Sequence, residues 1–163
     1  MQVKVDIPYP EVKVSSKNIK LAKEILSSYA GPISEDTAIH NYIFQYLILE
    51  NDEIKSILKE IAIVEMHHLE ILGELVKKLG LTPLYLSVNN DKTKWFSGEY
   101  VTYEKELKNI LLDNIRNEEL AIKNYEKIII QTDDEYVKYI LKRIILDEKM
   151  HIQVFMKLYS QVK

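Results

Sequence analysis

The sequence predicts an all-α protein, a bundle of four helices built as two antiparallel hairpins joined by a long crossover. Three observations predict it. The chain of 163 residues is 47% hydrophobic and 29% charged with only four Gly and four Pro, which favours long helices over a turn-rich β fold. Apolar residues recur at helical spacing everywhere except at the N-terminus and from residue 81 to 100. The second half also repeats the first.

Residues 1–16 alternate Val3, Val5 and Ile7 with polar residues and carry Pro8 and Pro10, which predicts an extended arm without the apolar core of a signal peptide. The bundle is expected over residues 17–163. Lys17 to Ala30 has Ile19, Ala22, Leu26 and Tyr29 on one face, a short amphipathic helix stopped by Gly31-Pro32. Pro32 suits the first turn of a second helix, from Ser34 to about Glu50. Asn51-Asp52 breaks it, and a third helix runs from about Glu53 to Leu79, ended by Gly80. From Leu81 to Tyr100 the periodicity lapses at Pro83, Asn89-Asn90, Ser97 and Gly98. A connection of roughly 20 residues reaches up to about 70 Å, enough to return along a bundle and start a second hairpin in register. That hairpin is predicted from about Val101 to Gln131 and from Tyr136 to Tyr159, broken at Thr132-Asp133-Asp134.

The repeat has a single offset of 83 residues: Glu35 maps to Glu118, Tyr42 to Tyr125, Glu65 to Glu148 and His68 to His151. Ala38/Ala121, Ile57/Ile140, Leu58/Leu141 and Ile61/Ile144 keep the same register without a gap. Two equivalent hairpins imply a site with approximate two-fold symmetry between them.

That site is expected at Glu35, Glu65, His68, Glu118, Glu148 and His151. Each Glu-x-x-His pair stands one turn apart on one face of its helix, and the upstream Glu lies at a matching level on the preceding helix. Four carboxylates and two imidazoles suit two adjacent divalent ions, two Fe or two Mn, because carboxylates bridge and each imidazole completes one shell. Tyr42 and Tyr125 follow the upstream Glu by seven residues and are candidate catalytic residues whose hydroxyls would reach ligand carboxylates across the bundle. Asp147, whose repeat counterpart is Val64, is placed to orient an imidazole.

A single Glu-x-x-His on a charged helix is usually solvated surface. Two in repeat register, each with an upstream Glu and apolar neighbours, belong on a core face, where unpaired charge is costly. His67 and His40 lack these features and read as surface or interface residues, and Glu60, Glu70, Glu74 and Glu119 as solvated faces. A net charge of -3 without a basic stripe argues against nucleic acid as a partner. The absence of cysteine removes disulfides and thiolate metal sites, and no run of 18 apolar residues suggests a membrane span. A cytoplasmic location is expected.

These residues resemble the ferritin-like superfamily from about Ser27 to Tyr159. Within it, Tyr29-Ala30-Gly31-Pro32-Ile33-Ser34-Glu35 resembles the Tyr-Gly-Gly-Pro-x-Gly-Glu stretch of manganese catalases, and Thr132-Asp133-Asp134 is similar to theirs. The resemblance implies Glu35, Glu65, His68, Glu118 and His151 as ligands, with Glu148 a sixth ligand, as in rubrerythrins, or a neighbouring carboxylate. It further implies oxidoreductase activity on hydrogen peroxide or dioxygen and an electron-donor protein, while a surplus of Ile, Leu and Tyr over the needs of one small core, with the Val-rich arm open to exchange, points to a homodimer or larger homo-oligomer. The alternative it carries is a bacterioferritin-like ferroxidase or iron-storage protein.

Overall fold

Every helix starts on a side chain that accepts from its first free backbone N–H groups. Asn18 caps α1 (Ile19–Ala30), Ser34 caps α2 (Glu35–Ile48) and Asn51 caps α3 (Asp52–Leu79). Glu106 caps α4 (Leu107–Gln131) and Asp134 caps α5 (Glu135–Gln161). The structure, a computed structural model, describes residues 1–90 and 92–162. α3 ends where Gly80 turns left-handed at φ 107°, a conformation open to glycine, and Leu81 N–H closes back on Val76 O at 3.1 Å.

α2 packs on α3 and α4 on α5, giving the two predicted hairpins, while α1 lies against α3. Two apolar clusters fill the bundle. One gathers Leu72, Leu75, Leu79, Ile140, Leu141 and Ile144 with α1, and the other gathers Leu58, Ile61, Ala62, Leu111, Phe155 and Leu158. On α3 the stretch from Glu65 to His68 falls between the two clusters, and on α5 the stretch from Glu148 to His151 does the same. A charged layer therefore has apolar packing above and below it.

The crossover is more ordered than its lapsed periodicity suggested. β1 (Leu86–Asn89) and β2 (Lys92–Trp95) form an antiparallel hairpin, with Leu86 opposite Trp95 and Asn90 at φ 48° in the turn. Strands of four residues are too short to give a readable alternation, and β1 gains its burial by packing on α1. A short 3-10 turn follows at Gly98–Tyr100. α4 starts at Leu107 and not near Val101, because Thr102 N–H is tied to Asn41 Oδ1 at 2.7 Å and Glu104 accepts from the N–H groups of Lys105 and Glu106. Both contacts hold the chain out of helix.

Residues 1–18 form neither helix nor strand and lie along their own bundle. Val5 N–H donates to Asp147 Oδ1 at 2.8 Å, and Arg143 donates to Ile7 O at 2.9 Å and Val5 O at 3.2 Å. Ser15 N–H is bound to Asp134 at 2.7 Å. The backbone at Val5, Ile7 and Ser15 is bound to the side chains of Asp147, Arg143 and Asp134, so the Val-rich alternation reflects attachment to side chains and not strand pairing.

Candidate metal centre

Glu35 is the first residue of α2, and the turn before it is locked. Ser34 Oγ and Thr37 Oγ1 each donate to Gly31 O at 2.7 Å. A Cβ on Gly31 would stand 2.4 Å from Ser27 O, so the close passage of α1 into this turn requires glycine. Glu118 comes from the middle of α4, Glu65 and His68 from α3, and Glu148 and His151 from α5. All six expected site residues are buried and come together in one layer.

They form two overlapping groups, Glu35, Glu65, His68 and Glu148, and Glu65, Glu118, Glu148 and His151, with ligand atoms in each group within 4.8 Å of one another. His68 Nδ1 lies 2.9 Å from Glu65 Oε2, 3.2 Å from Glu148 Oε1 and 3.9 Å from Glu35 Oε1. Under the repeat, His151 Nδ1 lies 3.0 Å from Glu148 Oε2, 2.9 Å from Glu65 Oε1 and 3.5 Å from Glu118 Oε1. Glu65 and Glu148 belong to both groups, and Glu35, His68, Glu118 and His151 to one each.

Among the described residues Glu65 Oε1, both carboxylate oxygens of Glu148 and both ring nitrogens of His151 are buried without a hydrogen bond. Buried polar atoms normally find partners. Here acceptors and imidazole nitrogens face each other at about 3 Å without hydrogen-bond alignment, the arrangement expected where a cation sits among them. Oxygen and imidazole donors without thiolate fit manganese or iron.

The electrostatics agree. Burial, reinforced by Glu148 and Glu65, raises Glu35 well above the usual carboxylate range, and burial with the same two neighbours pushes Glu118 up to about 8. Burial alone would raise Glu65 too, but His151 and His68 hold it below the usual range. Burial opposes charge on both histidines, yet Glu148 beside His68 and Glu65 beside His151 carry them well above their ordinary value. Without a metal, protons have to stand in for positive charge.

Around the ligands, Tyr42 donates to Glu118 Oε1 and Tyr125 to Glu35 Oε1, each reaching across the bundle. Asp147 Oδ2 lies 3.2 Å from His68 Nε2, as the sequence suggested. Two residues escaped the sequence reading. Tyr9 on the arm donates to Asp147 Oδ2 and lies 3.2 Å from His68 Nε2, and Arg143 Nη1 lies 2.9 Å from Asp147 with its guanidinium over the Tyr9 ring. Arg143 had a signal, a charged residue among the apolar positions Ile140, Ile144 and Ile145 of its helix face. Tyr9 had none. His67 and His40 are exposed and outside both groups, and Glu60, Glu70, Glu74 and Glu119 are exposed as well.

Between α2 and α4 a slot of about 20 Å³ reaches Glu35 and Glu118, lined among others by Ala38, Asn41, Asn117 and Ala121. That is room for about one water-sized molecule.

A long-crossover helical bundle with paired carboxylate and Glu-x-x-His ligands defines the ferritin-like class of carboxylate metal proteins. The chain belongs to the rubrerythrin family within it, whose family model matches residues 29–159. It is 25% identical to a "probable manganese catalase" of Clostridium acetobutylicum, over 94% of this chain and 76% of that protein. Its fold superposes on KatB, a manganese catalase from Anabaena PCC7120, with TM-score 0.87 and 26% identity over 98% of this chain and 80% of the other. The Desulfovibrio desulfuricans bacterioferritin, at TM-score 0.72 and 24% identity over 86% of this chain and 78% of the other, shares the fold. Among the described residues no helix is long and apolar enough to cross a membrane.

Proposed function

We propose that the protein is a dinuclear manganese or iron oxidoreductase that acts on hydrogen peroxide, with Glu35, Glu65, His68, Glu118, Glu148 and His151 as metal ligands. The two overlapping ligand groups, with buried oxygens and nitrogens left unpaired around a shared centre, carry this reading. The manganese catalase relatives support peroxide as the substrate. The slot of about 20 Å³ beside Glu35 and Glu118 leaves no room for a bulky organic substrate.

Two bound ions would supply the one-electron changes that turn two hydrogen peroxide molecules into two waters and one dioxygen. The chain's own residues prepare that chemistry. Glu65 and Glu148, which belong to both ligand groups, would hold both ions, and His68 and His151 would hold one each. Tyr42 and Tyr125 fix the carboxylates of Glu118 and Glu35, which line the slot, and hold hydrogen on their inner oxygens. The apolar clusters on both sides keep bulk water out.

Residues 1–16 would serve the bundle of residues 17–163 as an arm. Ile130, exposed at 83%, lines one surface groove with Ile129, Ile145 and Leu146, an apolar face that favours a homodimer or larger homo-oligomer. Protein loaded with manganese and given hydrogen peroxide alone should release dioxygen. Consumption of peroxide only together with a reductant or Fe²⁺ would place it with peroxidases served by a donor protein, or with ferroxidases.

A further inference from the structure

The ligands obey the two-fold repeat, but what stands behind the two histidines does not. Behind His68, Nε2 meets Asp147 and Tyr9, each at 3.2 Å. Asp147 in turn accepts from Tyr9 and from Val5 N–H, and lies 2.9 Å from Arg143 Nη1. Arg143 is itself held by the carbonyls of Val5 and Ile7 and covers the Tyr9 ring at 4.1 Å. Behind His151, Nε2 is buried and has no partner among the described residues. Repeat arithmetic explains the gap, since Asp147 maps to Val64 and Arg143 to Glu60, and the arm has no second copy.

We infer that the N-terminal arm is a strap that makes the two metal positions unequal: Tyr9, acting through Asp147, fixes His68 so that the Glu35–His68 position fills first and binds more tightly than the Glu118–His151 position. An imidazole that presents Nδ1 to a metal and donates Nε2–H to a carboxylate has its ring angle and tautomer fixed in advance and is a stronger donor. No carboxylate among the described residues fixes the tautomer of His151 through its Nε2. Loss of such outer partners typically costs about 10–100-fold in metal affinity. Tyr9 is a positioning residue here; it touches no ligand atom that faces the metal position.

The inference rests on the proposed dinuclear site, and one titration separates the two. Metal-free full-length protein is titrated with Mn²⁺ by isothermal calorimetry. Two resolved steps of unequal affinity are expected for the wild type. Tyr9→Phe and Asp147→Asn should each weaken the tighter step about tenfold or more and leave the weaker step within about twofold. A purely structural role of the arm would move both steps together, and that result would overturn the strap. Two equal steps in the wild type would also overturn it while leaving the dinuclear centre standing. Absence of any Mn²⁺ uptake would remove both.

Discussion

Tyr42 donates its hydroxyl to Glu118, 76 residues further along the chain, and the repeat carries the same bond to Tyr125 and Glu35. Each tyrosine joins the two hairpins and immobilises a carboxylate that lines the slot. Both phenols are buried, and burial together with the adjacent carboxylate raises each well above its ordinary value, so both stay protonated as donors.

Tyr42→Phe and Tyr125→Phe should therefore destabilise the protein by similar amounts, about 1–3 kcal/mol each, because a buried carboxylate loses its donor while packing is kept. Urea denaturation of the two variants measures this. Very different losses would mean that the two halves of the centre are not equivalent at this level.

The division into shared and single-position ligands predicts metal stoichiometry. His68→Ala and His151→Ala should each retain about one ion per chain, whereas Glu65→Ala and Glu148→Ala should retain none firmly, because those carboxylates serve both positions. Elemental analysis after gel filtration decides. Two ions kept after either glutamate change would sink the ligand assignment.

Stability of the metal-free protein should depend on pH in an unusual direction. Glu118 rises from 4.5 to about 8 on folding and Glu35 rises as well, so their contribution is complete below pH 4.5 and is lost as pH climbs, for Glu118 through about 8. His68 and His151 are also raised, so what they contribute is complete below 6.5 and lost above it. Glu65 and Asp147 are lowered, and their contributions disappear only on acidification below the ordinary 4.5 and 3.8. The thermal midpoint of metal-free protein should fall between about pH 5 and 8. Saturation with Mn²⁺ should remove or reverse the fall, since the ions replace the protons. A midpoint that rises with pH without metal would contradict the electrostatic account of the layer.

Gly31→Ala should cost about 1–3 kcal/mol, since its Cβ meets Ser27 O at 2.4 Å and the turn that seats Glu35 has to shift. Weaker metal retention should accompany the lost stability. Chemical denaturation with and without Mn²⁺ reads both effects.

The hairpins and the ligand layer were legible because they are written twice. One offset of 83 residues carried the levels of Glu35, Glu65 and His68 onto Glu118, Glu148 and His151, and helical periodicity did the rest. What lay hidden is what occurs once. The contact of Tyr9 with His68 spans 59 residues and depends on backbone bonds from a segment without helical periodicity. The hairpin from Leu86 to Trp95 has strands of four residues, too short for a pattern to emerge. The start of α4 was set by side-chain bonds to Thr102 and by Glu104, which no periodic pattern reports.

Metal content and dioxygen release should be measured on the same manganese-loaded sample after addition of hydrogen peroxide. A dinuclear peroxide-disproportionating centre gives two Mn per chain and one dioxygen for every two peroxides consumed, without added reductant. Protein that binds no metal, or that holds two ions and leaves hydrogen peroxide untouched with and without a reductant, would contradict that assignment.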